Sequence, residues 1–289
     1  MRVTLFGASG LLGQDLVPAL EGTELTALSQ EDADLRDSAR IGEIISRTRP
    51  EWILLAAAYT DVDGCEAKRD LALSVNCEGA VNVAYSARQN GARLMFISTD
   101  YVFDGTRRMP YETSDARHPI SVYGETKARA EVRLLEILPE VCIVRTSWLF
   151  GRGGKCFPAT ILKLAATSAE IHVVNDQRGS PTYARDLAAA LLELCRKQAC
   201  GIVHATNAGD CTWFEFAREI VQRAELAAMS PTDVKPIDTA DFPRPARRPA
   251  YSVLSPESLH AYGIRMPDWR DALGRYLAEV GASGQTAKT

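Results

Sequence analysis

The chain has 289 residues, a formal net charge of −4, 46% hydrophobic and 24% charged residues. This is the make-up of an ordinary globular protein, long enough for one large α/β domain with an appendage, or for two domains. The acidic balance argues against a general nucleic-acid binder. The apolar runs are strand-length, so no membrane span is expected.

Met1-Arg2-Val3-Thr4-Leu5-Phe6 reads as a first strand and not as a leader, so a cytoplasmic protein is expected. The first strand, Val3 to Phe6, runs into a glycine turn and a helix through Leu16 and Leu20. Leu25 to Leu28 is a second strand. A helix carrying Ile41, Ile44 and Ile45 ends before Pro50. Trp52 to Ala58 is a nearly continuous apolar run, the pattern of a strand covered on both faces. A long helix is predicted from about Ala67 to Arg88, ended by Gly91. Leu94 to Ile97 is the next strand, a helix around Tyr123 follows, and Val141 to Val144 is a further strand. This alternation predicts right-handed crossovers and a Rossmann-type, doubly wound parallel sheet.

After Gly151 the character changes. Helices near Ala159–Ala166 and Ala184–Arg196 alternate with strands near His172–Val174 and Ile202–His204. Asp238 to Pro249 is too rich in proline for a helix or a central strand. The expected division is a dinucleotide-binding part over 1–150, rejoined by 183–206, and a smaller, irregular C-terminal substrate-binding region over 151–182 and 207–289. The polar tail Ser283 to Thr289 is expected to fray.

The seven cysteines are odd in number, scattered and without a C-x-x-C pair. They read as small buried hydrophobes in a reducing compartment. The four histidines have no metal-ligand spacing, and no metal is expected.

Gly7-x-x-Gly10-x-x-Gly13 follows a strand and opens a helix. Glycines there let the backbone approach a pyrophosphate, with helix N–H groups facing it. A carboxylate at the end of the second strand would bind a ribose 2′-hydroxyl and repel a 2′-phosphate. That place holds Ser29, with Gln30 next and Arg36 beyond, so NADPH is expected and NADH stays open. Tyr59, after the third strand, lines the cofactor's inner edge or simply packs. Asn76 bonds backbone near the site or sits on a helix surface.

Tyr123 and Lys127 lie four residues apart on one helix face. A neighbouring cation is expected to acidify the phenol, making Tyr123 a proton donor to a carbonyl oxygen. Ser98-Thr99-Asp100 follows the fourth strand, at the carboxyl edge where open α/β sheets bind ligands. Thr99 is placed to hydrogen-bond the same oxygen; a turn cap is the alternative. Asp115 and Pro119 are expected to set the start of the Tyr123 helix. Trp148 contacts a sugar face or packs in the core. Arg244, Arg247 and Arg248 meet a substrate diphosphate or form a solvated loop.

Taken together, Phe6-Gly7-Ala8-Ser9-Gly10, Ala56 to Val62, Ser98 to Phe103, Tyr123-Gly124-x-x-Lys127, Arg145-Thr146-Ser147-Trp148, Asn175-Asp176-Gln177-x-Gly179-x-Pro181-Thr182 and Arg248-Pro249 resemble the dTDP-4-dehydrorhamnose reductase family of the extended short-chain dehydrogenase/reductase superfamily. The resemblance runs from Met1 to about Val280. It implies NAD(P)H-dependent reduction of the C4 ketone of dTDP-4-dehydro-6-deoxy-L-mannose to dTDP-L-rhamnose. It places Gly7, Gly10, Leu11, Leu12 and Gly13 at the cofactor diphosphate, Ser29, Asp34 and Leu35 at its adenosine half, and Ala58, Tyr59 and Thr60 along it. Lys127 would bond the nicotinamide ribose, Tyr123 would be the acid, and Thr99, Asp100, Trp148 and Arg248 would meet the sugar nucleotide. Some members bind Mg²⁺ through carboxylates at a dimer contact. Asp15 matches one such place, but Arg185 stands at another, so no metal is implied here, and a homodimer is possible.

Two rivals remain at this point. Sugar-nucleotide dehydratases resemble one another in Thr-Asp-Glu, whereas Thr99-Asp100 is followed here by Tyr101, which disfavours elimination. A different 4-ketoreductase is the nearer enzyme. A non-catalytic dinucleotide-binding subunit, like the regulatory partner of methionine adenosyltransferase, is the other class, and the intact Thr99, Tyr123 and Lys127 speak against it.

Overall fold

The computed structural model describes residues 1–225 and 232–286, with the side chains of 225 and 282–286 left aside. In chain order the first half contains β1 (Arg2–Phe6), α1 (Gly13–Ala19), β2 (Glu24–Leu28), α2 (Ser38–Thr48), β3 (Trp52–Leu55), α3 (Val62–Ala67), α4 (Arg69–Leu73), a π-helical turn (Ser74–Glu78), α5 (Gly79–Asn90), β4 (Arg93–Thr99), a 3-10 turn (Asp100–Val102), α6 (Val122–Ile137) and β5 (Cys142–Thr146). The second half adds β6 (Leu149–Phe150), α7 (Phe157–Ala165), β7 (Glu170–Val174), β8 (Arg178–Gly179), β9 (Thr182–Tyr183), α8 (Ala184–Arg196), β10 (Gly201–His204), β11 (Cys211–Thr212), α9 (Trp213–Glu225), β12 (Asp233–Ile237), α10 (Glu257–His260) and α11 (Trp269–Thr286).

Six strands form one sheet in the order β10-β5-β4-β3-β1-β2, all parallel. The apolar faces of α2, α5 and α6 cover one side, and α1 and α8 cover the other. With both sides covered, β3 and the first three residues of β5 can be apolar on both faces, which is why Trp52–Leu55 and Cys142–Val144 read as continuous runs. Strand order reverses between β1 and β3, so the chain diverges there and leaves a crevice at the carboxyl edge. A third apolar core, built from α7, β7, α9 and α11 around Phe216 and Trp269, lies beside the sheet.

Three expectations change. The apolar run after Trp52 leaves the ladder at Leu55, and Ala56 to Ala58 turn along the cleft instead. The long helix over Ala67–Arg88 is interrupted at Lys68 and again by the π-helical turn. The cause of the second break is Asn76. Its buried amide accepts from Tyr59 N at 2.7 Å and donates to Tyr59 O at 3.1 Å and to Thr126 Oγ1 at 3.1 Å. A turn of wider pitch carries this side chain inward, as such bulges do at functional sites. Finally, the C-terminal region is more regular than expected: α9, β12 and α11 are all formed, and α11 runs through Ser283 to Thr286. The end of the expected frayed tail, 287–289, lies outside the described residues.

The start of α6 is set by Ser121, whose hydroxyl accepts from Gly124 N at 3.2 Å. Asp115 does not reach it; its carboxylate accepts from Glu112 N and from Arg107. Gly124 is demanded by a close approach, because a Cβ there would stand 2.1 Å from Tyr101 O.

Behind α6 lies a buried ionic knot. Glu131 and Arg145 have fully buried side chains. Arg145 donates from Nε to Oε1 at 3.0 Å and from the guanidinium to Oε2 at 2.7 Å. Ser98 Oγ adds a bond at 2.5 Å and Arg117 Nε another at 2.5 Å. Removing one partner of such a pair strands the other charge. Arg145→Met is therefore expected to cost about 3–5 kcal/mol in urea unfolding followed by circular dichroism; a loss of less than about 1 kcal/mol would contradict this role.

Candidate active site

A single cleft of about 720 Å³ runs along the carboxyl edge of the sheet from the glycine turn to the end of β5. Its lining includes Gly7, Gly10, Leu11, Leu12, Ser29, Asp34, Leu35, Ala58, Tyr59, Thr60, Thr99, Asp100, Tyr123, Lys127 and Trp148, all singled out from the sequence. It also includes Ser9, Gln30, Arg36, Thr146, Lys155 and Trp213. Trp213 and Lys155 carry no signature in the sequence, because only the packing of the C-terminal core brings them to this edge.

The glycine turn is shaped for close approach. Gly7 has φ +91°, and a Cβ on it would stand 2.7 Å from Ala57 N. Gly13 does not line the cleft. Its place is structural, since a Cβ there would meet Gly7 O at 2.1 Å, and bare backbone lets α1 close against the turn. At the end of β2, Ser29 donates from N and Oγ to Asp32 Oδ2 at 2.8 and 2.7 Å. Arg36 Nε donates to Asp34 Oδ1 at 2.9 Å. The cleft wall thus presents the Ser29 hydroxyl and the Arg36 guanidinium, each bonded to a neighbouring carboxylate, in place of a lone carboxylate.

The far end of the cleft carries the titratable cluster. Tyr123, Lys127, Thr99 and Asp100 come from the start of α6 and the end of β4. Lys127 Nζ donates to Ile97 O at 2.6 Å and lies 3.8 Å from the Phe96 ring centre. Burial pulls its pKa down to about 7, opposed by the Glu131 carboxylate one turn on. Thr99 Oγ1 donates to Asp100 Oδ1 at 3.0 Å and accepts from Tyr101 N at 3.2 Å. Burial pushes the Asp100 carboxyl up to about 7. Asp100 Oδ2 and Thr146 Oγ1, both buried, have no hydrogen-bond partner within the protein.

The expected acidification of Tyr123 is overturned. Burial, and then the neighbouring Asp100, push the phenol above its ordinary range, and only the Thr99 hydroxyl pulls the other way. The lysine does not enter the balance at Tyr123, and its ammonium donates instead to the Ile97 carbonyl. The upward shift favours the proton-bearing form of Tyr123, the form from which a donor starts.

Arg248 is paired within the protein beside the cleft residue Tyr101. It does not line the cleft; its guanidinium donates to Asp63 of α3 at 2.8 and 2.9 Å. Arg244 Nε donates to the same carboxylate at 2.9 Å, and Ala246 N at 3.1 Å. These bonds, Arg248's first, hold the Asp63 carboxyl well below the usual range. The proline-rich segment is a strap fastened to the sheet domain. At the Asp15 place, Arg185 and Arg152 both engage Glu279. Guanidinium groups already supply the positive charge there, and the set does not fit a divalent cation.

A phenol, a hydroxyl and an ammonium at the end of a Rossmann cleft define an extended short-chain dehydrogenase/reductase. The family described as RmlD substrate binding domain matches residues 1–282, and the chain belongs to it. It is 40% identical over 281 residues to the dTDP-4-dehydrorhamnose reductase of Streptomyces griseus, covering 94% of this chain and 91% of that protein. It is 38% identical to the dTDP-4-keto-6-deoxy-D-glucose reductase of Streptomyces niveus, covering 94% and 95%. The crystal structure of a dTDP-4-dehydrorhamnose reductase from Bacillus anthracis in complex with NADP superposes with a TM-score of 0.92 at 38% identity, covering 96% and 99%. Among the described residues no helix is long and apolar enough to cross a membrane.

Asp100 links the site to stability. Its folded pKa is raised, to about 7, so the folded state keeps a proton the unfolded chain gives up. The contribution is full below the unfolded carboxylate range and is lost as pH rises through 7. Asp100→Asn is expected to lose less stability than the parent between pH 5 and pH 8, read as urea midpoints at each pH; parallel curves would refute the shift.

Proposed function

We propose that this chain reduces the C4 ketone of dTDP-4-dehydro-6-deoxy-L-mannose to dTDP-L-rhamnose with NADPH. The observation that carries it is the juxtaposition of the partly buried Tyr123 with Thr99 and Lys127, at the end of a cleft that begins in a glycine turn. Gly7, Gly10, Leu11 and Leu12 would hold the cofactor diphosphate; Ser29, Asp34, Leu35 and Arg36 its adenosine half; and Ala58, Tyr59, Thr60 and Lys127 its nicotinamide half. Gly7's positive φ and its contact with the Ala56–Ala57 backbone, which leaves no room for a Cβ, keep the turn tight and bare where such a ligand would lie. When bound, NADPH supplies the hydride, leaving as NADP⁺.

The chain supplies the rest. As the C4 carbonyl gains two electrons, its oxygen needs a proton. Tyr123 donates it from the phenol, and bulk solvent restores it after turnover. Thr99 Oγ1, whose one proton goes to Asp100 Oδ1, would turn it to the oxygen on which the negative charge develops. Lys127, held by Ile97 O, keeps a positive charge beneath the site whenever it is protonated. Asp100 and Trp148 would meet the sugar. The part over 1–150 with 183–206 would serve the dinucleotide, and 151–182 with 207–289 the sugar nucleotide. The absence of paired cysteines among the described residues suits a reducing cytoplasm.

Tyr123→Phe is expected to lower kcat by ~10²–10⁴, the usual share of a positioned general acid. Near-parental turnover would remove Tyr123 from the mechanism. The likeness to the S. niveus protein favours a second reading, in which the ketone belongs to dTDP-4-keto-6-deoxy-D-glucose. Purified protein should oxidise NADPH faster than NADH when the L-sugar ketone is generated in situ by its epimerase. Equal or faster oxidation with the epimerase left out would favour the second reading.

A further inference from the structure

The stretch Asn175 to Thr182 lines none of the cleft, yet it frames two residues that do. Asn175 Oδ1 accepts from Thr212 Oγ1 at 2.7 Å. Thr212 N donates to Glu215 Oε2 at 2.8 Å, and Glu215 N returns to Thr212 Oγ1 at 3.1 Å. This reciprocal pair closes the first turn of α9, and the Arg178 guanidinium donates to the same Glu215 oxygen at 3.0 Å. The first residue of that turn is Trp213. On the other side, Ser147 Oγ donates to Ser180 O at 2.6 Å, and Thr182 N donates to Trp148 O at 3.2 Å. A Cβ on Gly179 would stand 2.6 Å from the Trp148 indole.

Trp148 has φ +45°, a left-handed backbone that a bulky residue keeps only when its surroundings over-determine it. Thr182 N holds its carbonyl from one side, and Trp213 packs on its indole. The two indoles stack with ring centres 3.4 Å apart and planes 5° from parallel. Phe157 supports Trp213 from 4.5 Å. Both indoles line the cleft, and both are only partly buried.

We propose that Trp213 is a positioning residue for the sugar nucleotide: stacked on Trp148, it fixes the strained indole as the rigid apolar surface against which the substrate's sugar rests. The inference rests on the reductase reading and deepens it. A large flat side chain held in one place loses little entropy on binding, whereas an unstacked Trp148 would relax toward an ordinary backbone and lose the surface.

The test is Trp213→Ala, with Trp213→Phe as the conservative control and Gly179→Ala as an independent way to displace Trp148. The parent protein should give the far-ultraviolet exciton couplet of a stacked indole pair; its absence would overturn the arrangement. Trp213→Ala should lose the couplet and raise KM for the keto-sugar about 10-fold, with kcat falling far less and KM for NADPH unchanged. Trp213→Phe should recover most of the sugar KM. An unchanged sugar KM in a folded Trp213→Ala protein overturns the inference, as does an equal rise for NADPH and sugar. If Trp213→Ala does not fold, Gly179→Ala decides by the same two KM values. Affinity for dTDP-L-rhamnose, measured by calorimetry in the presence of NADP⁺, separates the two levels. A parent that binds the sugar nucleotide without turnover refutes the reductase reading, and the variant-to-parent affinity ratio still decides the role of Trp213.

Discussion

The Glu131 carboxylate, buried one helical turn beyond Lys127, is the constraint on which the site depends. It accepts from Ser98 of β4, Arg145 of β5 and Arg117 of the intervening loop. Those bonds fix α6 against the ends of the two strands that deliver Thr99 and Trp148. Arg145 reaches further, to His204 Nε2 of β10 at 3.3 Å, and burial with this neighbouring cation drops the His204 imidazole to about 3. The glutamate and the buried arginine are tolerated inside the fold because they bond each other, while His204 keeps one ring nitrogen, Nδ1, without a partner.

Desolvation then sets the chemistry. The same burial that secures the knot drives the phenol of Tyr123 upward and the amine of Lys127 downward. In water these two groups would titrate far above neutrality, and in the cleft they move apart. The phenol is left as a proton reservoir and the lysine as a charge that is partly present near neutral pH. The opposite shifts of the two groups come from their surroundings, Lys127 lying against Phe96 and the β4 backbone, more than from the spacing of a tyrosine and a lysine on a helix.

The C-terminal region acts on the cleft through rigid attachments. Asp63 fastens the proline-rich strap by two arginines and a backbone N–H. The Asn175–Thr182 stretch fastens α9 to the segment after β5. Both cross-links join residues far apart in sequence, so the second region frames the end of the cleft as part of one body with the sheet.

The sequence by itself determined the parallel sheet, the glycine turn and the pairing of Tyr123 with Lys127 on one helix face, while cleft residues such as Asp34, Leu35 and Thr60 were legible only through the family resemblance. The reason is local: a buried strand must be apolar, a tight backbone approach must be glycine, and a helix places residues i and i+4 on one face whatever surrounds it. It did not determine the break in the long helix, which exists because Asn76 reaches Tyr59 and Thr126, nor that Arg248 pairs with Asp63. Only the tertiary structure decided the direction of the Tyr123 shift, because burial is a sum over the whole fold. The same holds for Trp213, whose place beside Trp148 depends on a helix capped through residues some forty positions away.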